Sequence, residues 1–402
     1  MKPCTLLSLM AICEKNIVRY ILLSITLVLG LDKDIEMIVI SIYVLLFFLH
    51  LKSNNFKVKN CLKEMLVLLF FVVSILGTLV IYPENAQYIL DDNNFWNTIF
   101  PCVRYFFIGL IFIPDKYTMN LMGKASCWAI LIEIAFVILY MMPRGLLSND
   151  DMSRAYQILP NVLFVINYAL NEKTKSGIFS SFLGIFYILG MGTRGPLIVI
   201  GSYIFIKILK NISTKMKILL GSFFAAFVTI GNFIILDVLK IIRNIFSSFN
   251  LSTRIIDLFL ADSVISHRSG RDEIYDIAIK KIMENPWFGY GIYGEWQWFN
   301  WSVHNMYLEV ILHYGLIIGL FILISVLALV ICTYTKTKNT FAKDFILIWG
   351  SFVFVRGLFG GAYLHFSLFI LIAFCMRECY RIKVESRELF ECNKNILDGK
   401  EL

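Results

Sequence analysis

The sequence predicts an all-α, polytopic integral membrane protein of about twelve transmembrane helices, with one large external loop that bears an amphipathic helix. Three observations predict it. Apolar residues make up 58% of the 402-residue chain and charged residues only 16%, a mixture that one water-soluble body cannot bury. The mean hydropathy of +0.73 comes from long apolar blocks. Lysines recur on alternate loops between those blocks.

Each block is judged against a hydrocarbon core about 30 Å thick, which takes roughly 17 to 25 residues of helix, or fewer where the ends are interfacial. The spans fall near 17–31, 35–51, 65–82, 97–113, 124–142, 156–170, 177–191, 195–209, 217–238, 306–334, 344–359 and 363–378. Together they form a single transmembrane domain over 1–402. The loops expected inside (52–64, 114–124, 171–176, 207–217 and 335–343) carry fifteen Lys and no Arg. The short loops expected outside (31–35, 82–96, 143–155, 191–194 and 360–362) carry one Lys and three Arg. The positive-inside rule therefore places both termini in the cytoplasm and leaves residues 239–304, between the ninth and tenth spans, outside. This asymmetry accounts for the net charge of +8, so nucleic acid is not expected as a partner. The nine cysteines show no metal-ligand spacing and none lies in a loop placed outside; neither zinc nor disulfides are expected. The apolar run Thr5 to Cys13 is too short to span and has no small-residue cleavage site, so no removable signal peptide is expected.

Within the external loop, Ser269 and Asp272 form a capping-box-like pair, and Ile274, Ile277, Ala278 and Ile282 share one face. Asn285-Pro286 ends that pattern, which predicts an amphipathic helix over Ser269 to Glu284. A turn-rich stretch follows with Gly289, Gly291 and Gly294, and four of the seven Trp fall between residues 287 and 301. Trp296 and Trp298 are candidates to stack on sugar rings; the competing role of such residues is interfacial anchoring. No internal repeat is present.

Ionisable residues at membrane depth are costly and mark function by default. Arg104, Arg194 and Arg356 occupy the outer half or outer end of their segments, whereas the inner loops use Lys. Arg154 stands in an outer loop. The planar, permanently charged guanidinium fits phosphate bidentately, so this group predicts an anionic, phosphate-bearing ligand; a single terminal Arg otherwise snorkels to headgroups. Gly190-Met191-Gly192-Thr193-Arg194-Gly195-Pro196 joins two spans by a tight external turn. His304, followed by Asn305, sits where the external loop re-enters the membrane, wet enough to exchange protons and near enough to a lipid-borne substrate to use them. Helix capping is its plainer role. His313 and His365 fall inside spans, where a hydrogen-bonded core role is expected.

In their order these features resemble the bacterial O-antigen polymerase and O-antigen ligase superfamily of polyprenyl-pyrophosphate-dependent membrane glycosyltransferases. The likeness is sharpest from Gly190 to Gly319. It rests on Thr193-Arg194-Gly195, Ser269-Gly270-Arg271, Asn285-Pro286-Trp287-Phe288-Gly289-Tyr290-Gly291 and His304-Asn305-Met306-Tyr307-Leu308-Glu309, with Tyr314-Gly315 beyond. The resemblance implies a polyprenyl-pyrophosphate-linked glycan donor and a glycan acceptor hydroxyl on the outer face of the membrane, with no metal and no cofactor. It implies catalytic roles for Arg194 and Arg271 at the pyrophosphate and for His304 at the acceptor hydroxyl. Arg104, Arg154, Arg356, Asn305, Trp296 and Trp298 are added as substrate-binding candidates on charge and position. Thr193 stands where many relatives have Ser, and the Trp-rich end of the loop matches no family motif.

The expected activity is polymerisation of lipid-linked repeat units into O-antigen, capsule or exopolysaccharide at the bacterial plasma membrane, with a chain-length regulator and a flippase as further partners. An O-antigen ligase, moving the finished glycan to lipid A core or another acceptor, is the alternative. A transporter or a lipid-linked oligosaccharide flippase ranks behind both, because the two halves of the chain are unlike and the unusual residues cluster at one surface. An inert assembly partner of an export complex ranks behind them as well.

Overall fold

The computed structural model describes residues 62–91, 94–141, 143, 152–191, 193–211, 243–244, 247–248, 257, 271–299 and 301–397. The expected spans 17–31, 35–51 and 217–238 lie outside the described residues, as do Ser269 and Gly270. Among the described residues all regular structure is helical and no strand occurs, which suits a solvent that satisfies no backbone group.

The principal helices are α1 (Leu62–Ile81), α2 (Phe100–Ile111), α3 (Lys116–Phe136), α4 (Met152–Glu172), α5 (Lys175–Gly190), α6 (Arg194–Asn211), α7 (Asp272–Glu284), α8 (Met306–Lys336), α9 (Thr340–Gly350) and α10 (Phe366–Leu397). The other expected spans fall on α1 to α6 and α8 to α10. Two helices of the described chain, Lys116–Met141 and Met306–Lys336, are long and apolar enough to cross a membrane alone. Leu66–Ile81 with Pro83–Ile89 forms a pair bent by 111°, and Phe100–Leu110, Lys175–Gly190 and Gly195–Leu209 are apolar but shorter. The twelve crossings expected from apolar blocks are thus not established by helix length; prolines, glycines and π turns at Phe95–Ile99, Val137–Met141 and Ser351–Val355 divide several blocks.

Close packing depends on small residues at helix contacts. α2 lies along α10, and a Cβ on Gly109 would come within 2.5 Å of the Ile370 carbonyl oxygen. α4 is flanked by α3 and α5: Gly123 receives the Tyr168 ring and Gly184 receives Val162. Ile158 to Val165 are buried without interruption, so α4 is the axis of the bundle. Val80, Leu139, Phe182 and Phe321 remain exposed, the apolar exterior expected of helices that face hydrocarbon.

One buried set of polar groups is closely paired. Lys207 Nζ lies 2.6 Å from Asp344 Oδ1 and 2.9 Å from Asn167 Oδ1, while Asn171 Nδ2 donates to Asp344 Oδ2 at 2.9 Å. Lys207 and Asp344 are each 6% exposed. Lys207→Met alone is expected to cost about 3–5 kcal/mol by leaving Asp344 buried and uncompensated. Lys207→Met with Asp344→Leu should recover much of that loss, measured as thermal unfolding of the detergent-solubilised protein.

The expectation of one unbroken helix over 306–334 is corrected. α8 is interrupted at Gly315, whose φ is 76° and ψ 171°. The segment that follows α7 enters this break: Tyr290 N donates to Leu312 O at 2.9 Å, Gly291 N to His313 O at 3.0 Å, and Leu316 N to Pro286 O at 2.6 Å. Residues 286–291 therefore satisfy backbone groups that the break releases, as an interrupted buried helix requires. α1 and the bend after it grip the same segment. Tyr82 Oη donates to Gly289 O at 2.9 Å, Thr78 Oγ1 accepts from Ile292 N at 3.1 Å, and Asn85 Nδ2 donates to Tyr290 O at 2.8 Å.

Candidate functional site

The turn between α5 and α6 is closed by a residue far away in sequence. Tyr156, in the first turns of α4, presses its hydroxyl against the main chain at Gly195, where an added Cβ would lie 2.0 Å from Oη. Glycine after Arg194 is thus a packing requirement. Arg194 itself opens α6. Thr193 is 4% exposed and its hydroxyl has no partner.

Two further segments converge on Tyr156. Its Oη stands 3.5 Å from the Phe359 carbonyl oxygen, and Arg271 Nη1 donates to that same oxygen at 2.6 Å. A Cβ on Gly360, whose φ is 148°, would be 3.2 Å from Tyr156 Oη and 3.5 Å from Arg271 Nη1. Arg271 is the residue immediately before α7, so the loop helix delivers its guanidinium to the end of the α9 segment.

Arg356 follows directly on the π turn Ser351–Val355, whose extra residue per turn re-aims the side chains after it. Its guanidinium carbon lies 4.9 Å from the Tyr156 ring centroid and 5.1 Å from that of Phe352, favourable cation–π distances. Nη1 is 2.8 Å from His365 Nε2, and His365 Nδ1 is 2.7 Å from Ser367 Oγ. The imidazole accepts from Arg356 at Nε2, and its Nδ1 faces both the hydroxyl and, at 3.3 Å, the main-chain N of Ser367. Arg356 Nε is buried with no partner.

His304 adopts a left-handed conformation with φ of 60°, uncommon for a residue with a side chain. It is half-buried, and its Nδ1 lies 3.4 Å from Ser302 Oγ. Burial, then the positive charges of Arg271 and Arg356, hold the imidazole below its ordinary pKa. The helix cap is Asn305, not His304: its Oδ1 accepts from Tyr307 N at 3.0 Å and Leu308 N at 3.2 Å.

Of the residues singled out from sequence, Arg271, Arg356 and His304 are thus brought together with the main chain of the Arg194 turn. The others are placed differently. Arg104 lies with its guanidinium carbon 4.8 Å from the Tyr105 ring centroid. Arg154 pairs with buried Glu133 at 3.5 Å. Asn305 uses its side chain to cap α8. Trp296 packs on Tyr88 and Tyr293, and Trp298 on Tyr290, with Lys281 Nζ 5.1 Å above its ring. Trp298 packs on the loop's own small core and Trp296 on the main core, whereas Trp287, Phe288 and Trp301 are exposed. Sequence reasoning missed Tyr156 and undervalued His365. Glu295, Glu309 and His313 form a second buried polar group behind this site.

An apolar groove of about 450 Å³ runs between α1, α8 and α10, with Leu66, Phe70, Phe321, Met306, Phe354 and Tyr363 among its walls. Met306, in the groove wall, packs against Gly357, the residue after Arg356: a Cβ on Gly357 would lie 3.0 Å from Met306 Cε. The groove wall and the basic cluster thus lie on neighbouring stretches of chain, His304 two residues before Met306 and Arg356 one before Gly357. That combination suits an amphiphile with an anionic head.

Residues 179–324 match the family model described as O-antigen ligase. The matched part contains the Arg194 turn, Arg271, His304 and the break in α8. Tyr156, Arg356 and His365 lie beyond it. No curated protein and no solved structure matches the chain. The family implies a membrane enzyme of glycosyltransferase or ligase type that takes a lipid-linked glycan donor and an acceptor. The match over residues 179–324, about a third of the chain, supports a relationship to the O-antigen polymerase and ligase superfamily.

Proposed function

We propose that the protein polymerises oligosaccharide repeat units carried on polyprenyl pyrophosphate, undecaprenyl pyrophosphate in particular, to make O-antigen, capsule or exopolysaccharide. The observation that carries this reading is that His304 lies within the fields of Arg271 and Arg356, with Arg356 stacked on Tyr156, while Met306 two residues on walls the apolar groove. The groove seats the start of the isoprenoid, and Arg194 and Arg271 bind the diphosphate. His304 takes the proton from the acceptor sugar hydroxyl as its oxygen attacks the anomeric carbon. The bond from that carbon to the pyrophosphate oxygen breaks, and polyprenyl pyrophosphate leaves with the electron pair. Guanidinium groups stabilise the charge that develops on it, so no metal is needed at the reacting atoms. Arg356, set by His365 and Tyr156, adds positive charge beside His304 and keeps the imidazole in its basic form.

The site works on the outer face of the bacterial plasma membrane, with residues 239–304 external and both termini in the cytoplasm. A flippase supplies the donor and a chain-length regulator sets its use. A deletion strain tests the reading: surface glycan reduced to a single repeat, restored to a ladder by the wild-type gene, is the polymerase result. The O-antigen ligase description of the matching family favours a second reading, in which full-length glycan accumulates on its carrier and never reaches lipid A core.

The pH dependence follows from His304. Its folded pKa lies below the ordinary imidazole value of 6.5, so the unfolded chain binds the proton first and stability falls as pH drops below that value. Transfer needs the neutral ring, so the acid limb of the rate profile is expected below pH 6.5. Transfer rates in proteoliposomes between acid and neutral pH check this, and a limb above that value contradicts it.

A further inference from the structure

A second polar group is buried where the external loop meets the outer half of α8. The donor atoms of Glu295, Glu309 and His313 all lie within 4.8 Å of one another. Glu295 is 0% exposed, and Glu309 and His313 are each 2% exposed. Tyr314 and Tyr363 stand in front of this group and line the groove. His313 Nδ1 is 2.8 Å from Tyr363 Oη, which donates its own proton to Tyr314 Oη at 3.5 Å. Tyr363 Oη therefore accepts from His313 Nδ1, and the other ring nitrogen, Nε2, is turned onto Glu295 Oε2.

The charges need a counterpart. Two carboxylates with an imidazole are neutralised by two protons or by one divalent cation. Protons leave a defect: Glu295 Oε1 and Glu309 Oε2 are buried with no hydrogen-bond partner among the described residues, and a proton placed on either oxygen meets no acceptor among them. A cation satisfies these oxygens as well as those already engaged. The ring orientation fits, since a ligating histidine donates its other nitrogen to a neighbouring oxygen.

We propose that Glu295, Glu309 and His313 hold one divalent first-row cation, zinc or manganese, as a structural clamp. One imidazole with carboxylates is a donor set that both ions accept, and the unpaired carboxylate oxygens supply the additional donors for a closed coordination shell. The clamp ties the turn ending at Glu295 to the half-helix that begins just after His304, and so holds the floor of the site without taking part in transfer. It is independent of the glycosyltransferase reading.

The test is the metal content and thermal unfolding of the full-length, detergent-purified protein. The expected result is about one ion per chain that survives desalting, with a lower Tm after a strong chelator and recovery on adding zinc or manganese. Glu309→Gln and His313→Ala should lose the ion, whereas Arg271→Ala should retain it. Wild-type protein that carries no stoichiometric ion, both as purified and after incubation with zinc or manganese, overturns the proposal. So do folded Glu309→Gln and His313→Ala proteins that keep the ion. Should those variants fail to fold, the wild-type content and its chelator response decide alone.

Discussion

Arg271→Ala is expected to lower glycan transfer by about 10²–10³-fold, the effect of removing one preorganised donor from a developing anion, while the protein stays inserted and folded. The reason is geometric. Arg271 Nη1 is already bound to the Phe359 carbonyl oxygen at 2.6 Å, which fixes the fork beside Tyr156 and Gly360 rather than leaving a mobile charge. Lysine restores the charge but has neither the plane nor the second arm, so Arg271→Lys should stay near the alanine level. Arg356→Lys should fall likewise, because it loses both the His365 contact at 2.8 Å and the stacking on Tyr156. The check is initial rate at saturating donor, with membrane abundance measured in parallel. Near wild-type rates for Arg271→Lys would show that a point charge suffices.

Gly315→Ala is expected to remove the folded protein from membranes. At φ of 76°, an alanine costs about 1–2 kcal/mol in backbone strain alone. Its Cβ would also stand 2.2 Å from the Trp287 carbonyl oxygen, a backbone atom that cannot move without breaking the bond from Leu316 N to Pro286 O. Gly289→Ala meets the same junction from the other side, 2.6 Å from the His313 carbonyl oxygen. Gly77→Ala is the control: a Cβ there meets nothing within 4 Å, and this helix substitution should be neutral or mildly stabilising. Detergent-extracted yield and Tm check all three. A normal Tm for Gly315→Ala would show that the loop does not depend on the break in α8.

These residues also show what could be read from sequence alone. His304 stands out in the sequence because a titratable side chain sits beside a long apolar run, whereas Arg271 is marked only by the resemblance of Ser269-Gly270-Arg271 to the family. Their partners carry no such mark. Tyr156 is one of nineteen tyrosines, and nothing local marks its contact with Gly195 or its approach to Phe359, 203 positions away. His365 read as a core histidine until Arg356 was found against it. The break in α8 was hidden because hydropathy runs unchanged through Gly315, and only the backbone of residues 286–291 reveals what fills it. Asn285-Pro286-Trp287-Phe288-Gly289-Tyr290-Gly291 carried the family resemblance correctly, yet its observed contacts are structural, joining loop to helix. Trp296 and Trp298 mislead by composition: aromatic clusters near a membrane suggest surface, and these two face inward.

The decisive measurement is release of polyprenyl pyrophosphate, coupled to glycan elongation, by purified protein in proteoliposomes supplied with lipid-linked repeat units. Wild-type protein should form both products in step. His304→Ala should bind donor and yield neither, and Arg271→Ala should fail as well. Elongation at wild-type rates by the His304 and Arg271 variants would contradict the assignment of guanidinium groups to the diphosphate and of the imidazole to the attacking hydroxyl.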